Sequence, residues 1–143
     1  MNLGMNFGLV GEPVTVDMPS TGEPRAQTLA KDFDLQIAKA TASTSKLVCS
    51  FRKCLNDPAA DIEIDSVTGL TIVQDVTSPT ASQGAVVRDS ASQVSVHLDA
   101  DAFDHLKPGL YYLDLTEITL GGLVILRHTV EIYFQRSAGR RMV

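Results

Sequence analysis

Apolar and polar residues alternate with a period of two through most of the chain. Phe33, Leu35 and Ile37, for example, alternate with Asp34 and Gln36. This period is typical of a β-strand with one buried and one exposed face. Comparable segments lie at 47–51, 62–64, 70–73, 85–87, 94–98, 110–115 and 123–134. Polar clusters rich in Ser, Thr, Asn, Asp and Gly separate these segments, so we predict an all-β fold, an antiparallel sandwich of about seven or eight strands.

One connection interrupts the alternation and predicts a single helical turn near residues 101–106. Asp101 can cap this turn, and Phe103 and Leu106 lie three positions apart on one side of it. Pro108 then prevents the helix from continuing. We therefore expect one short helical turn that buries two apolar side chains.

The acidic residues of this connection, Asp99, Asp101 and Asp104, raise the question of calcium binding. Their spacing lacks the central glycine and the distal glutamate of an EF-hand loop. Helix capping and the helix dipole account for acidic residues at such a position. We therefore expect no metal and no cofactor.

The segment 106–111 resembles the tyrosine corner of immunoglobulin-like sandwiches, in which a Tyr near the start of a strand bonds back to the preceding loop. Tyr111 is therefore expected to point inward. Gly121-Gly122 predicts a tight hairpin after this strand. One face of the final strand is then expected to carry Val124, Leu126, His128, Val130, Ile132 and Phe134.

His128 interrupts that otherwise apolar row. It is either a buried base or pH switch, or a neutral, hydrogen-bonded histidine of the core or an interface. We favour the second interpretation, because no motif places a Ser, Cys or carboxylate beside it. His97 and His105 have exposed parity. The sequence contains no H-x-H, H-E-x-x-H, G-x-S-x-G, P-loop or G-x-G-x-x-G pattern, so we expect no enzyme.

Composition narrows the possible partners further. The chain has a formal net charge of −5, and it has no basic stripe that would neutralise nucleic-acid phosphates. We see neither the pattern of a signal peptide nor an apolar run near the ~18 residues of a membrane span, so we expect neither standard export nor membrane insertion. Cys49 and Cys54 do not form a C-x-x-C motif. Two such cysteines are consistent with synthesis of the protein in a reducing compartment.

The chain divides into three parts by composition. Residues 1–30 are rich in Gly, Pro and Thr, and their prolines forbid a helix. We predict an extended N-terminal arm that orders against its own domain or against a neighbouring subunit, with disorder as the alternative. Residues 31–136 are assigned to the sandwich and residues 137–143 to a basic C-terminal tail.

Four features of residues 31–134 occur together: an alternating strand that ends in a charged pair at 47–53, Gly69-Leu70-Thr71-Ile72, Val94–Leu98, and 106–115 with the Gly turn and long strand that follow. In these features the chain resembles a class of small immunoglobulin-like domains of tailed bacteriophages, similar to the N-terminal domain of baseplate upper proteins and to related virion accessory proteins. This resemblance implies a non-enzymatic structural role in a phage particle.

We therefore expect a bacteriophage virion protein, in the first place a capsid decoration or cement protein that binds neighbouring virion subunits through its arm and its sheet edges. A tail, neck or baseplate component is the alternative within this class, and a free-standing carbohydrate-binding or adhesion module is the alternative from another class. The expected partners are major capsid or tail subunits, with copies arrayed as homo-oligomers in the particle after synthesis in the host cytoplasm. The expected subunit contacts are Phe7, Val10, Val14, Val16, Tyr112, Tyr133, Arg136, Arg140 and Arg141.

Overall fold

A computed structural model of the chain describes residues 25–29, 31–54, 57 and 59–136. Nearly all of the regular structure in these ranges is β-strand. The strands are β1 (Arg25–Thr28), β2 (Phe33–Ile37), β3 (Lys46–Arg52), β4 (Ile62–Asp65), β5 (Gly69–Val73), β6 (Gly84–Ser90), β7 (Gln93–Leu98), β8 (Gly109–Ile118) and β9 (Val124–Gln135). A 3₁₀ turn at Ala81–Gln83 and the helix α1 at Ala100–Phe103 lie in connections. Within the described ranges, no helix has the length and apolar character that crossing a membrane requires.

The strands form two sheets that pack face to face. The larger sheet has the order β1-β9-β8-β3-β4-β5, and the smaller one has the order β2-β7-β6. The order β9-β8-β3-β4-β5 corresponds to the five-stranded sheet of variable-type immunoglobulin domains, to which β1 adds in parallel with β9. The order β2-β7-β6 corresponds to three of the four strands of their opposite sheet. The alternating pattern therefore predicted the fold class correctly, and the protein is an immunoglobulin-like β-sandwich.

An aromatic cluster joins the two sheets at one end of the core. Phe33 of the small sheet makes an edge contact with Phe51 of the large sheet, with ring centroids 5.4 Å apart. Phe134 contacts Phe51, Phe103 and Tyr111 at centroid distances of 5.9, 5.4 and 5.1 Å. All five rings are buried. Antibody domains hold this region with a disulfide, whereas here dispersion and hydrophobic burial between rings hold the sheets together.

Both cysteines are free thiols. Cys49 is buried and Cys54 is exposed. Burial raises the pKa of the Cys49 thiol far above its ordinary value. Cys49 is therefore a small apolar residue of the core and not a nucleophile.

The tyrosine corner is confirmed. The hydroxyl of Tyr111 donates a 2.9 Å hydrogen bond to the carbonyl oxygen of Lys107. Tyr111 itself is buried, whereas Tyr112 lies on the outer face and is half-buried. The bond fixes the loop before β8 against the core.

The helical turn is confirmed, but its start was predicted wrongly. Helix α1 begins at Ala100 with Asp99 at the N-cap position, and Asp101 lies inside the helix. The Asp99 side chain makes no cap hydrogen bond. Instead, Asp32 from the start of β2 accepts the Ala100 N–H at 2.8 Å. The predicted burial of Phe103 and Leu106 is confirmed.

The sandwich begins earlier than predicted. Residues 25–28, which were assigned to the arm, form β1 and pair in parallel with β9, with Arg25 opposite Ile132. Leu29, which follows β1, is buried in the core. Arg-Ala-Gln-Thr has no apolar alternation, so the period of two gave no sign of this strand. The rest of the arm, with Phe7, Val10, Val14 and Val16, and the tail, with Arg140 and Arg141, lie outside the described residues.

A β-bulge near the middle of β9 changes which residues face the core. Leu115 lies opposite His128, but the next residue, Thr116, lies opposite Leu126, so Arg127 is an extra residue. Its insertion reverses the parity of β9 toward the hairpin. Ile132 and Phe134 face the core as predicted. The prediction that Val124 and Leu126 share this face is wrong.

Candidate binding surface at the hairpin end

Three connections between strands meet at one end of the sandwich, which we call the hairpin end. They are the β2–β3 connection (38–45), the β4–β5 turn (66–68) and the β8–β9 turn (119–123). β3 begins at this end with Lys46, opposite Ile118 at the end of β8. The corresponding loops of variable-type immunoglobulin domains form their binding surface.

Exposed and half-buried apolar side chains occur together at this end, on the outer face of the large sheet and in the adjoining β8–β9 turn. We call this group the hairpin patch, and it consists of Val48, Ile118, Leu120, Leu123, Val124 and Leu126. Leu120 is 83% exposed, and Leu123 and Val124 are each 42% exposed. The other three members are half-buried on the same face. Contiguous exposed apolar surface of this kind marks interaction sites on soluble proteins.

The bulge at Arg127 creates this patch. Without the extra residue, the alternation of β9 would turn Val124 and Leu126 toward the core. With it, Val124 lies opposite Ile118 and Leu126 lies opposite Thr116, both on the outer face. Ile125 takes the inner position and is 9% exposed. One inserted residue therefore moves two apolar side chains from the core face to solvent.

The tip of the hairpin has a defined backbone. The Thr119 N–H donates to Leu123 O at 2.9 Å, and the Gly122 N–H donates to Thr119 O at 2.8 Å. The Leu123 N–H donates to the Thr119 hydroxyl at 3.0 Å. Gly122 has φ = +93°, a conformation that side chains disfavour. The loop therefore holds Leu120 at the tip in a fixed turn.

An ion pair between the buried Glu117 and the half-buried Arg127 fixes the hairpin to the β2–β3 connection. Glu117 is 1% exposed. One of its oxygens accepts the Ala42 N–H at 2.8 Å, and the other accepts Nε–H of Arg127 at 2.8 Å. Burial alone would raise the pKa of Glu117, but the Ala42 and Arg127 hydrogen bonds help to hold it below its ordinary value. Glu117 is therefore a charged anchor, and the residue that makes the bulge also neutralises it.

Arg88 of β6 fixes the same connection from the small sheet. Its Nε–H donates to the Thr41 hydroxyl at 2.7 Å, and its terminal nitrogens donate to the carbonyl oxygens of Ser43 and Ser45 at 3.4 Å. Charged donors to several backbone acceptors restrict a loop strongly. The hairpin end is thus ordered before it meets any partner.

Three of the sequence-predicted contact residues are described by the structure, and they lie away from the hairpin patch. Tyr133 is 44% exposed on the outer face, where its register partner is Leu110 near the start of β8, far from the hairpin. Tyr112 lies on the same face opposite Arg52 and Glu131. Arg136 donates to Asp104 O at 3.0 Å. The outward parity of both tyrosines is confirmed, but the structure does not bring these residues together with the hairpin patch.

A cluster of polar side chains lies at the opposite end of the sandwich from the hairpin patch. We call it the Asp–His cluster, and it consists of Asp32, Asp34, His97 and Asp99. His97 lies 2.7 Å from Asp34 through Nδ1 and 2.6 Å from Asp99 through Nε2. The hydrogen bond with Asp34, and less strongly that with Asp99, raises the pKa of His97 in spite of partial burial.

Neither the hairpin patch nor the Asp–His cluster was predicted from the sequence. The patch depends on the bulge, which has no signature in the alternation of β9. The cluster could have been found from a spacing signal, because Asp32-Phe33-Asp34 and His97-Leu98-Asp99 each place two polar residues on one strand face. Only the pairing of the two strands makes that signal meaningful.

Comparison with known proteins finds similarity only to solved structures. No protein-family model matches the chain, and no curated protein matches it. One solved structure that it resembles is the crystal structure of the ZIG-8–RIG-5 IG1–IG1 heterodimer. The identity is 12%, the match covers 82% of this chain and 89% of that chain, and the TM-score is 0.39. The strand order and the tyrosine corner are the features that identify the immunoglobulin-like fold.

Proposed function

We propose that this protein is a non-enzymatic binding domain of a bacteriophage particle, a capsid decoration protein that attaches to neighbouring virion subunits through the hairpin patch. The observation that supports binding is the patch itself, in which a bulge turns Val124 and Leu126 outward beside the exposed Leu120. The phage setting is supported by the resemblance of residues 31–134 to virion accessory domains.

The surroundings of the patch fit a protein partner. Interface centres are apolar and poor in charge, whereas their rims are polar. The Lys46 side chain lies at the edge of the patch and pairs with Asp65 at 3.3 Å. This pair supplies a polar rim beside Val48 and Ile118. A protein subunit with a complementary apolar depression would cover such a surface.

The ordered β2–β3 connection also favours binding. Association costs free energy for every loop that must become ordered. Glu117 and Arg88 hold the β2–β3 connection through hydrogen bonds that are already formed in the free domain. Little ordering therefore remains to oppose association at this end.

A decoration role fits a surface of modest size. Copies arrayed on a particle add their contacts, so that weak single interactions suffice. We expect residues 1–24 to contribute a second contact, because the extended arm predicted from their sequence would reach more than one subunit. The capsid is preferred to the tail or baseplate for this reason.

The proposal is tested on particles purified from the culture that produces the protein. Epitope-tagged protein is expressed during particle assembly as wild type, Leu120→Asp, Val124→Asp and Val67→Asp, and its amount in the purified particles is measured by immunoblot. Val67 is 77% exposed in the β4–β5 turn and is the matched control for an added charge at this end. We expect wild type and V67D in the particles and a loss of at least tenfold for L120D and V124D.

Two results would contradict the proposal in different ways. Absence of the wild-type protein from the particles would refute the virion role. Its presence together with normal incorporation of L120D and V124D would refute the hairpin patch as the contact surface. Thermal unfolding of each variant shows that a loss of incorporation is not a loss of folding.

A further inference from the structure

We propose that the Asp–His cluster binds a divalent transition-metal ion with the chemistry of Zn²⁺, through Nε2 of His97 and one carboxylate oxygen each of Asp32 and Asp99. This inference is independent of the proposed function, because the cluster and the hairpin patch lie at opposite ends of the sandwich. It rests on the strand register, the distances between donor atoms, the orientation of the imidazole and the local charge.

Strand register brings the four side chains to one face. Asp34 lies opposite His97, and Phe33 lies opposite Leu98 in the antiparallel β2–β7 pair. Phe33 and Leu98 are buried. Because side chains alternate across a strand, the residues on either side of this buried pair point outward. Asp34 and His97 form one row, and Asp32 and Asp99 extend the same face by one further row.

The donor atoms are close enough for one ion. One donor atom each from Asp32, His97 and Asp99 lie within 4.8 Å of one another. Zinc bonds to nitrogen and carboxylate oxygen are about 2.0–2.2 Å long, so two donors on one ion lie at most about 4.4 Å apart. Small rotations of these partly exposed side chains would bring Asp32 closer and separate Nε2 of His97 from Asp99, so that the ion replaces their 2.6 Å hydrogen bond and water completes the coordination.

Asp34 orients the imidazole for this role. It holds Nδ1 of His97 at 2.7 Å, so Nε2 points toward Asp99 and the start of α1. Histidines that bind metals are commonly fixed by a carboxylate on the opposite ring nitrogen, which sets the tautomer and strengthens the donor. Asp34 is thus a positioning residue and not a ligand.

The charge and donor types select the class of ion. Three carboxylates surround one imidazole, so even a protonated ring leaves net negative charge that a divalent cation would reduce. Mg²⁺ and Ca²⁺ prefer sets made only of oxygen donors. The imidazole nitrogen shifts the preference toward Zn²⁺ and similar transition metals. The bound ion would join the start of β2 to the end of β7 and the start of α1.

The test uses the full-length, tag-free protein with Cys54→Ser, because the exposed thiol is a competing zinc ligand. After removal of metal with a chelator, Zn²⁺ binding is measured by isothermal titration calorimetry, and Co²⁺ binding by visible absorption. We expect one ion per chain. Affinity should fall at least tenfold in His97→Gln and in Asp99→Asn, and about tenfold in Asp34→Asn, which keeps all three ligands.

His105→Gln is the matched control, because His105 is an exposed histidine that contacts the Gln74 carbonyl oxygen outside the cluster. It should bind Zn²⁺ like the parent. In NMR spectra of the parent, Zn²⁺ should move the ring signals of His97 and leave those of His105 in place, a readout that needs no variant to fold. Absence of Zn²⁺ binding, equal binding by H97Q and the parent, or a preference for Ca²⁺ or Mg²⁺ would overturn the proposal.

Discussion

The two ends of the sandwich are built from different interactions and present different surfaces. The hairpin end exposes apolar side chains, and charged residues beneath them, Glu117 and Arg88, hold its loops. The opposite end exposes the Asp–His cluster over an aromatic core centred on Phe134. The hairpin end therefore combines an apolar surface with polar supporting contacts, whereas the opposite end combines a charged surface with apolar supporting contacts.

This contrast has a physical reason. A surface that is to remain apolar and exposed cannot rely on burying the same side chains, so polar anchors must order its loops. A charged surface has no such restriction, because its side chains remain hydrated while rings pack below them. The comparison therefore predicts that charge deletions damage the hairpin end and that core or backbone changes damage the other end.

The largest effect is expected from Arg127→Met. This change removes the cation and leaves the Glu117 carboxylate buried, which costs about 3 kcal/mol of unfolding free energy. Chemical denaturation followed by fluorescence or circular dichroism measures the loss. Lys46→Met is the control, because the Lys46–Asp65 pair is more exposed and should contribute less than about 1 kcal/mol. Equal losses for the two variants would contradict the role of the Glu117–Arg127 pair.

The next largest effect concerns the boundary of the arm. Deleting residues 1–30 removes β1 and the buried Leu29, and burial of one leucine contributes about 2 kcal/mol. Deleting residues 1–24 leaves both in place and should change the free energy of unfolding little. The two truncations are compared by thermal and denaturant unfolding. Identical stabilities would mean that β1 does not contribute to the sandwich.

A smaller effect is expected from Tyr111→Phe at the opposite end. The variant keeps the ring in the aromatic cluster but loses the hydrogen bond to Lys107 O, at a cost of about 1 kcal/mol. Amide hydrogen exchange should rise in the loop before β8 and stay unchanged at 119–123. Faster exchange at the hairpin instead would show that the two ends are not independent.

The smallest effect is a pH dependence. The folded-state pKa of Glu117 lies below its ordinary value of 4.5. The associated stability is therefore present above that value and is lost as pH falls through the folded-state pKa. Wild type should lose stability in acid more steeply than Glu117→Gln, as measured by unfolding at several pH values. Parallel curves for the two proteins would argue against a charged Glu117.

Local patterns predicted most of the fold. Alternation in β3 and β8 identified which side chains are buried, and the segment around Tyr111 predicted its hydrogen bond to the preceding loop. These features depend on neighbours in the sequence. Their success reflects the strength of the period-two signal where one face of a strand is buried.

The features that were missed depend on distant partners. β1 has no apolar pattern of its own and is defined by β9, about a hundred positions later. The bulge at Arg127 is explained by the buried Glu117 that it neutralises, and not by the alternation around it. The Asp–His cluster needs the register between β2 and β7. In each case, sequence spacing alone carried no information about the pairing.

The most direct test of the central claim is the reactivity of the hairpin tip in the particle. A cysteine placed at Leu120 in a Cys54→Ser background is treated with a thiol reagent, first in the free protein and then in purified particles. Val67→Cys is the reference at the same end. We predict that L120C reacts rapidly in the free protein and is at least tenfold slower in particles, whereas V67C changes little. Equal reactivity of L120C in both states would contradict the hairpin patch as the binding surface.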